Sequence, residues 1–492
     1  MSGYAQEMAF ARSREVFAQA VGWLAGPEAA GLDHAAVEEE LAVRGREMLR
    51  LLYQGYLDAR AAAEPRREQV MGPDGICRTW AEWGHTRPLA SVFGLVTVTR
   101  IAYRAPGARN VHLADGQLNL PPVKHSHGLS KLVAVLASRG SLAAACAGIT
   151  AATGCALGTR QCQQLARAAA ADFDDFYAGR RPPPGAAPGD VLVLECDGKG
   201  IAVRPGQLRP RAARLARKSV PKQDGRLSRG EVRTRRRMAE VGAVFDLTPV
   251  ARTAEMVLAP GPRPPGPKAA HKWLTASVAA DAADVVAGVF AEADRRDPHH
   301  ERTWIALADG NKDQIRQIRA QAAARGIAIT IICDFFHVTE YLWDAAWAFF
   351  PEASPDAAAW VRDRAAAILD GRVRQVAAAL RAAITADPGL PAAKRKAAAR
   401  TAGYLEAKAP HLDYPAALAA GWPISTGVIE GACRHLVKDR MAITGARWTV
   451  DTAEAILKLR ALHANGDFDD YWAYHLQREH QRNHKHDYDL AA

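Results

Sequence analysis

The chain has 492 residues, with 49% hydrophobic and 24% charged residues and a formal net charge of +11. That length and apolar content imply two to four domains around a sizeable core and exclude a disordered chain. No run of eighteen apolar residues occurs, and MSGYAQEMAFARSREVFAQA reads as a charged amphipathic helix and not as a signal peptide, so a cytoplasmic protein without a membrane segment is expected.

The positive charge is local. Between Arg204 and Arg237 stand 13 Lys or Arg against 2 Asp or Glu, a net +11, and the remainder of the chain balances at 51 basic against 51 acidic residues. A basic excess confined to one segment suits a polyanion, because each cation placed on a phosphate releases condensed counterions; the plainer alternative is a solvated basic loop. The seven cysteines are scattered without a C-x-x-C pair, which fits reduced thiols better than a zinc or disulfide framework.

In chain order, residues 1–66 place apolar positions at helical spacing, and 67–128 hold a short β region whose segment 91–103 alternates with period two. Three helices with short turns follow at 129–138, 141–153 and 159–173, with Ser141 and Thr159 as N-caps. Helix, Gly-containing turn, helix is the helix-turn-helix pattern, which assigns 129–178 to DNA reading and puts Arg160 and Gln164 on the recognition helix; an Ala-rich helical bundle is the alternative. The stretch 179–189, rich in Pro and Gly, is the clearest linker.

Beyond it the pattern becomes mixed α/β. Apolar strand 191–196 ends in Asp197-Gly198, strands at 239–247 and 271–278 follow, and a helix leads to strand 304–308, which ends in Asp309-Gly310. A second helix leads to strand 327–333, ending in Asp334. Functional side chains of such sheets gather at carboxyl ends of strands, where these three aspartates fall. Residues 338–420 read as an inserted helical bundle splitting a catalytic domain at 190–337 and 421–465, and 466–492, with His475, His480, His484 and His486, as a mobile tail.

Each strand-end Asp alone has a bland explanation as a turn residue or helix cap. A third acid changes the balance. Glu430 lies in a segment where Ser425 or Thr426 can cap a helix, and 3.6-residue periodicity sets Glu430, Arg434 and Lys438 on one face. Three carboxylates offer the hard oxygen ligands that two Mg²⁺ ions need for phosphoryl transfer on DNA; ordinary i,i+4 ion pairs are the alternative for the Glu430 helix.

At these residues the chain resembles a known family. Leu194-Glu195-Cys196-Asp197-Gly198-Lys199-Gly200, Lys272-Trp273-Leu274-Thr275-Ala276-Ser277-Val278, Ala308-Asp309-Gly310-Asn311, Cys333-Asp334-Phe335-Phe336-His337-Val338 and the segment 427–440 with Thr444-Gly445-Ala446-Arg447-Trp448 resemble the ISKra family of bacterial insertion-sequence transposases, themselves similar to Mutator-type DDE transposases. The resemblance implies a ribonuclease-H-like catalytic domain interrupted by a helical insertion. It makes Asp197, Asp309 and Glu430 the catalytic, metal-binding acids with Mg²⁺, or Mn²⁺ in its place. Asp334 and His337 match an accessory motif, Asp334 being the rival to Asp309 for the second acid. The implied partners are double-stranded DNA, as element ends and target, and further copies of the chain on that DNA. Arg233, Arg235, Arg236, Arg237, Arg434, Lys438, Arg440 and Trp448 are candidate DNA contacts, Trp448 by stacking on an unpaired base or, equally in character, as a core indole. The rival readings are a catalytically inactive DNA-binding regulator of the same descent and a small-molecule metal phosphohydrolase.

Overall fold

The structure, a computed structural model, describes residues 8–180, 189–218, 236–259, 261, 266–443 and 445–484. It is mixed α/β and divides into two compact units, 1–179 with 466–492, and 180–465. No described helix is long and apolar enough to cross a membrane.

In the first unit, helices α1 (Ala11–Leu24) and α2 (His34–Ala62) pack together, α2 starting where the Asp33 carboxylate accepts the Ala36 N–H at 2.8 Å. A two-stranded ribbon, β1 (Val70–Met71) and β2 (Cys77–Arg78), precedes the antiparallel hairpin β3 (Trp80–Ser91) and β4 (Gly94–Arg104). The hairpin closes on α2 through Leu57, Leu89, Val96, Val98 and Leu120. Helices α3 (His127–Arg139), α4 (Leu142–Thr153) and α5 (Thr159–Ala169) then pack mutually, as a helix-turn-helix requires, and α6 (Phe173–Gly179) follows them. Ser141 caps α4 by accepting the Ala144 N–H at 3.0 Å, and Gly154 turns the chain at φ 70°. Thr159 is not a cap: the cap position is Gly158, whose N–H is taken by the Gln161 carboxamide at 3.1 Å.

Residues 466–492 do not behave as a mobile tail over their described part. Helix Phe468–Asn483 packs within this unit, burying Tyr471 and Trp472. Its His475 bonds the buried Asp172 at 2.6 Å, and its Tyr471 hydroxyl donates to the Ala169 carbonyl at 2.7 Å. The aromatic positions of this helix, read as tail, carry enough apolar surface to order it. His486 lies outside the described residues.

The second unit is built on a five-stranded sheet of β5 (Val191–Ala202), β6 (Arg236–Leu247), β7 (Ala269–Ser277), β8 (Trp304–Ala308) and β9 (Ile329–Cys333), in the order β7-β6-β5-β8-β9. β7, β6 and β5 run antiparallel; β8 and β9 lie parallel to β5. Their cores, Leu192-Val193-Leu194, Ala243-Val244 and Ile305-Ala306-Leu307, are at most 2% exposed, which is why these strands read as unbroken apolar runs. Helix α7 (Ala282–Arg296) packs on β5 and β6, where Gly242 gives it room: a Cβ there would stand 2.5 Å from Val289. Helix α8 (Lys312–Arg325) links β8 to β9.

From β9 the chain enters α9 (Phe335–Phe349), α10 (Pro355–Leu369), α11 (Val373–Ala386) and α12 (Ala392–Lys408), which pack as successive neighbours. It returns through α13 (Gly427–Ala432), a π-turn at Cys433–Lys438, and α14 (Val450–Asn465), which lies on β7 and takes the Leu274 N–H on Asn465 at 2.8 Å. One strand differs from its sequence reading. β5 does not stop at Asp197; Gly198, Lys199 and Gly200 continue to pair with Glu240, Ala239 and Met238, because the ladder to β6 outweighs the turn propensity of two glycines.

Candidate active site

Asp197 therefore sits inside a strand, half-buried, with one carboxylate oxygen on the Gly198 N–H at 2.6 Å and the other accepting the Cys433 thiol at 3.3 Å. The parallel register ends with Glu195 paired to Leu307, and Asp197 and Asp309 each follow two residues beyond that pair. Asp309 follows directly on β8 and is exposed, accepting the Asn311 N–H at 2.8 Å, and Asn311 in turn caps α8. Gly310 makes this turn at φ 91°, a conformation costly for other residues, beneath the Tyr404 hydroxyl.

Asp197 and Asp309 line one cleft together with Glu240, Asn311, Asp313 and Gln314. Gln314 closes its floor by donating to the Cys196 carbonyl. The Glu240 carboxyl is raised above its ordinary range, chiefly by burial; Arg209 pulls it down, and Asp197 and Asp281 push it further up.

Glu430 is exposed at the first turn of α13, and two buried acids set the position of that turn. Asp334, 1% exposed, accepts the Thr426 N–H at 2.6 Å and the Thr426 hydroxyl on one oxygen, and caps α9 with the other through the His337 N–H at 2.7 Å. Glu195, also 1% exposed, accepts the Ile429 N–H at 2.7 Å. Burial, mainly, pushes the Glu195 carboxyl up to about 8, so it holds its proton at neutral pH. Glu430 is raised too, by partial burial first and then by Asp334, Glu340 and Asp197. Glu430 and Asp197 thus feel each other's charge.

Of the three expected acids, Asp197 shares a cleft with Asp309 and an electrostatic interaction with Glu430, while Glu430 interacts with Asp334 and Glu340 ahead of Asp197 and Asp309 is not among its partners. Among the described residues no three His, Cys, Asp or Glu side chains converge with the spacing of a metal cage. The donor chemistry nevertheless fits a divalent cation: hard carboxylate oxygens accumulate here, and none of these acids forms an ion pair with Lys or Arg among the described residues; Glu430 is raised by burial first and by Asp334, Glu340 and Asp197 after it. Asp334, the rival second acid, is enclosed and committed to two helix starts, whereas Asp309 opens on the cleft. His337 turns Nδ1 to Glu340 at 3.1 Å and packs edge-on against Tyr341 and Tyr404.

The expected DNA contacts divide. Arg160 and Gln164 are exposed on α5, and Arg236, Arg434 and Lys438 are exposed as well. Glu430, Arg434 and Lys438 are all exposed, but the helix widens into the π-turn after Ala432, a deviation the 3.6-residue reading misses. Arg440 and Trp448 are corrections. Arg440 is 2% exposed with its guanidinium 4.7 Å from the Trp448 ring centre, and Trp448, 6% exposed, donates its indole N–H to the Met441 carbonyl at 3.1 Å, so both are core residues. Arg237 is also structural, donating to the carbonyls of Val278 at 2.7 Å, Gln207 and Ala279. Arg233 and Arg235 lie outside the described residues.

Sequence reasoning missed Glu195 and Glu240. Glu195 shares the face of Asp197 by the two-residue strand period and was legible on that ground. Glu240 was not, since its place depends on the β5–β6 register. Neither the protein-family models nor the curated proteins contain a match to this chain.

Proposed function

We propose that the chain is a DDE transposase: it binds the terminal inverted repeats of an insertion sequence, hydrolyses DNA at the element ends and joins the freed 3′-hydroxyls to target DNA. The observation that carries this reading is the cleft shared by Asp197 and Asp309 on adjacent parallel strands, beside the helix that carries Glu430. The strand order β7-β6-β5-β8-β9, three antiparallel strands followed by two parallel ones, supports a ribonuclease-H-like domain. In that reading α9–α12 are the helical insertion ahead of the third acid.

Asp197, Asp309 and Glu430 would hold the divalent cation, Mg²⁺ or Mn²⁺. When bound, it supplies charge that activates the attacking oxygen and stabilises the leaving one. The chain's own part is placement. Glu195 and Asp334 fix the first turn of α13 through Ile429 and Thr426, which sets Glu430 against β5. His337, with Nδ1 engaged by Glu340, presents Nε2 for a phosphate oxygen. Arg434 and Lys438, on the exposed face of Glu430's own helix, would take flanking phosphates, and Arg160 and Gln164 on α5 would read the repeat, with two copies of the chain processing the two ends.

The test is cleavage of a plasmid carrying the DNA that flanks this coding sequence. Mg²⁺-dependent nicking at the element ends by the wild type and none by Asp197→Asn is the expected result. Specific binding without nicking by the wild type would sink the enzymatic reading in favour of a DNA-binding regulator.

A further inference from the structure

Helix α2 has three faces. Arg44 and Gly55 face α1: the Arg44 guanidinium stands 4.7 Å from the Trp23 ring centre, and a Cβ on Gly55 would fall 2.4 Å from the Ala9 carbonyl. Gln54 and Leu57 face the hairpin, Gln54 bonding Thr97 at 2.8 and 2.9 Å and Leu57 entering the core. The third face carries Leu41, Gly45, Leu49, Leu52 and Tyr56. At about 100° per residue these five positions lie within roughly 80° of arc. The four side chains are 41%, 42%, 40% and 45% exposed.

Gly45 singles out this stripe. A mid-helix glycine is markedly less favourable than alanine. Nothing in the described chain accounts for it, since a Cβ there would meet no atom within 4 Å. A helix approaching from outside would account for it. The stripe is also self-complementary when reversed: in an antiparallel pair, Leu41 falls opposite Tyr56, Gly45 opposite Leu52, and Leu49 beside the two-fold axis. The same register brings Glu38, exposed near the start of α2, within one position of Arg60, exposed near its end. A parallel pair would stack like on like and leave Gly45 facing Gly45.

We infer that this face of α2 is a homodimer interface, in which α2 of a second copy packs antiparallel with its Leu52 seated over Gly45. The two-fold makes the contact isologous, so each side-chain change acts twice. The small residue permits close approach of the backbones, and the leucines and tyrosine supply the apolar burial.

Sedimentation equilibrium of the full chain without DNA tests this. The wild type is expected to be dimeric at micromolar concentration. Leu49→Glu is expected to raise the dimer dissociation constant about 100-fold, from two lost anchor contacts. Gly45→Gln should weaken the dimer as well while leaving helix content equal or higher, which separates loss of the interface from loss of the fold. Mixing Leu41→Cys chains with Tyr56→Cys chains should give a disulfide between the two variants under oxidation. Leu41→Cys alone should give none at that position, its two copies lying roughly 22 Å apart along an antiparallel pair. A monomeric wild type, a dimer indifferent to Leu49→Glu and Gly45→Gln, or self-linking of Leu41→Cys through the new thiol would each overturn the proposal.

Discussion

The two ends of the five-stranded sheet treat acidic residues in opposite ways. Where β5 begins and β6 finishes, Asp246 is 3% exposed and fully answered: Arg302 stands at 2.7 Å, His271 at 3.0 Å and Arg296 at 3.6 Å. Nearby, Asp297 accepts the Trp304 indole N–H at 2.7 Å and the Glu301 and Arg302 N–H groups at 3.0 Å, and Glu292 takes Arg295 and Arg296. At the opposite end Glu195, Asp197, Glu240, Asp309, Asp334 and Glu430 collect, and among the described residues none of them pairs with Lys or Arg. Burying charge without a partner is destabilising, so the first end is built for the fold. In the proposed function the second end is kept for a ligand, as functional sites commonly are.

The strongest way to break that contrast is to neutralise each end in turn. Asp197→Asn, Asp309→Asn or Glu430→Gln should lower Mg²⁺-dependent nicking by at least ~10³-fold, about 4 kcal/mol of barrier, with a melting temperature unchanged or raised. An unaffected Asp309→Asn would transfer the second acid's role to Asp334. Asp246→Ala should do the reverse. It leaves Arg302 without its carboxylate and Arg296 with Glu292 alone, so the folded state should lose about 3–5 kcal/mol. Chemical denaturation would measure that loss, while nicking per folded molecule stays the same.

A smaller effect comes from the cation itself. If the acid-rich end is kept for metal, Mg²⁺ at about ten times its dissociation constant should stabilise the chain by about 1.4 kcal/mol. Excess EDTA should remove the gain, and Asp197→Asn should never show it. Equal stabilisation of wild type and Asp197→Asn in a thermal melt would place the cation elsewhere.

How far this division was legible in the sequence depends on the range of the signals. The apolar runs 191–196, 304–308 and 327–333 and the acids that follow them are local, and they locate Asp309 and Asp334 at strand ends where the structure has them, the last strand starting at Ile329. The identities of the helices in 338–420 are likewise local, set by Ala-rich periodicity and Pro breaks. What escaped was decided by distant partners. β5 runs on past Gly198 and Gly200 because β6 is there to pair with them. Glu240 enters the cleft through the same register; Arg440 reads as a surface group and Trp448 has both a stacking and a core reading, until the bridge of Trp448 to Val203 places them inside. The division of labour between Asp309 and Asp334 was also hidden, because both follow an apolar strand and only the hydrogen bonds of Asp334 to Thr426 and His337 distinguish them.

The finest version of the contrast lies further along the β5–β6 ladder, where Arg236 and Arg237 stand opposite Ala202 and Ile201. Adjacent strand residues point to opposite faces, and the two arginines have different fates. Arg237 holds three backbone carbonyls, and Arg236 is exposed. Arg236→Ala should therefore leave the melting temperature alone and weaken DNA binding only a few-fold, reducing the slope of log affinity against log salt by about one, as the loss of a single phosphate contact does. Arg237→Ala should leave that slope intact and cost roughly 1–2 kcal/mol of stability, because the carbonyls of Val278, Gln207 and Ala279 lose a charged donor. A salt titration of both variants separates the two roles. If Arg237→Ala lowers the slope and Arg236→Ala does not, the exposed arginine is only solvated and the anchored one is the phosphate contact.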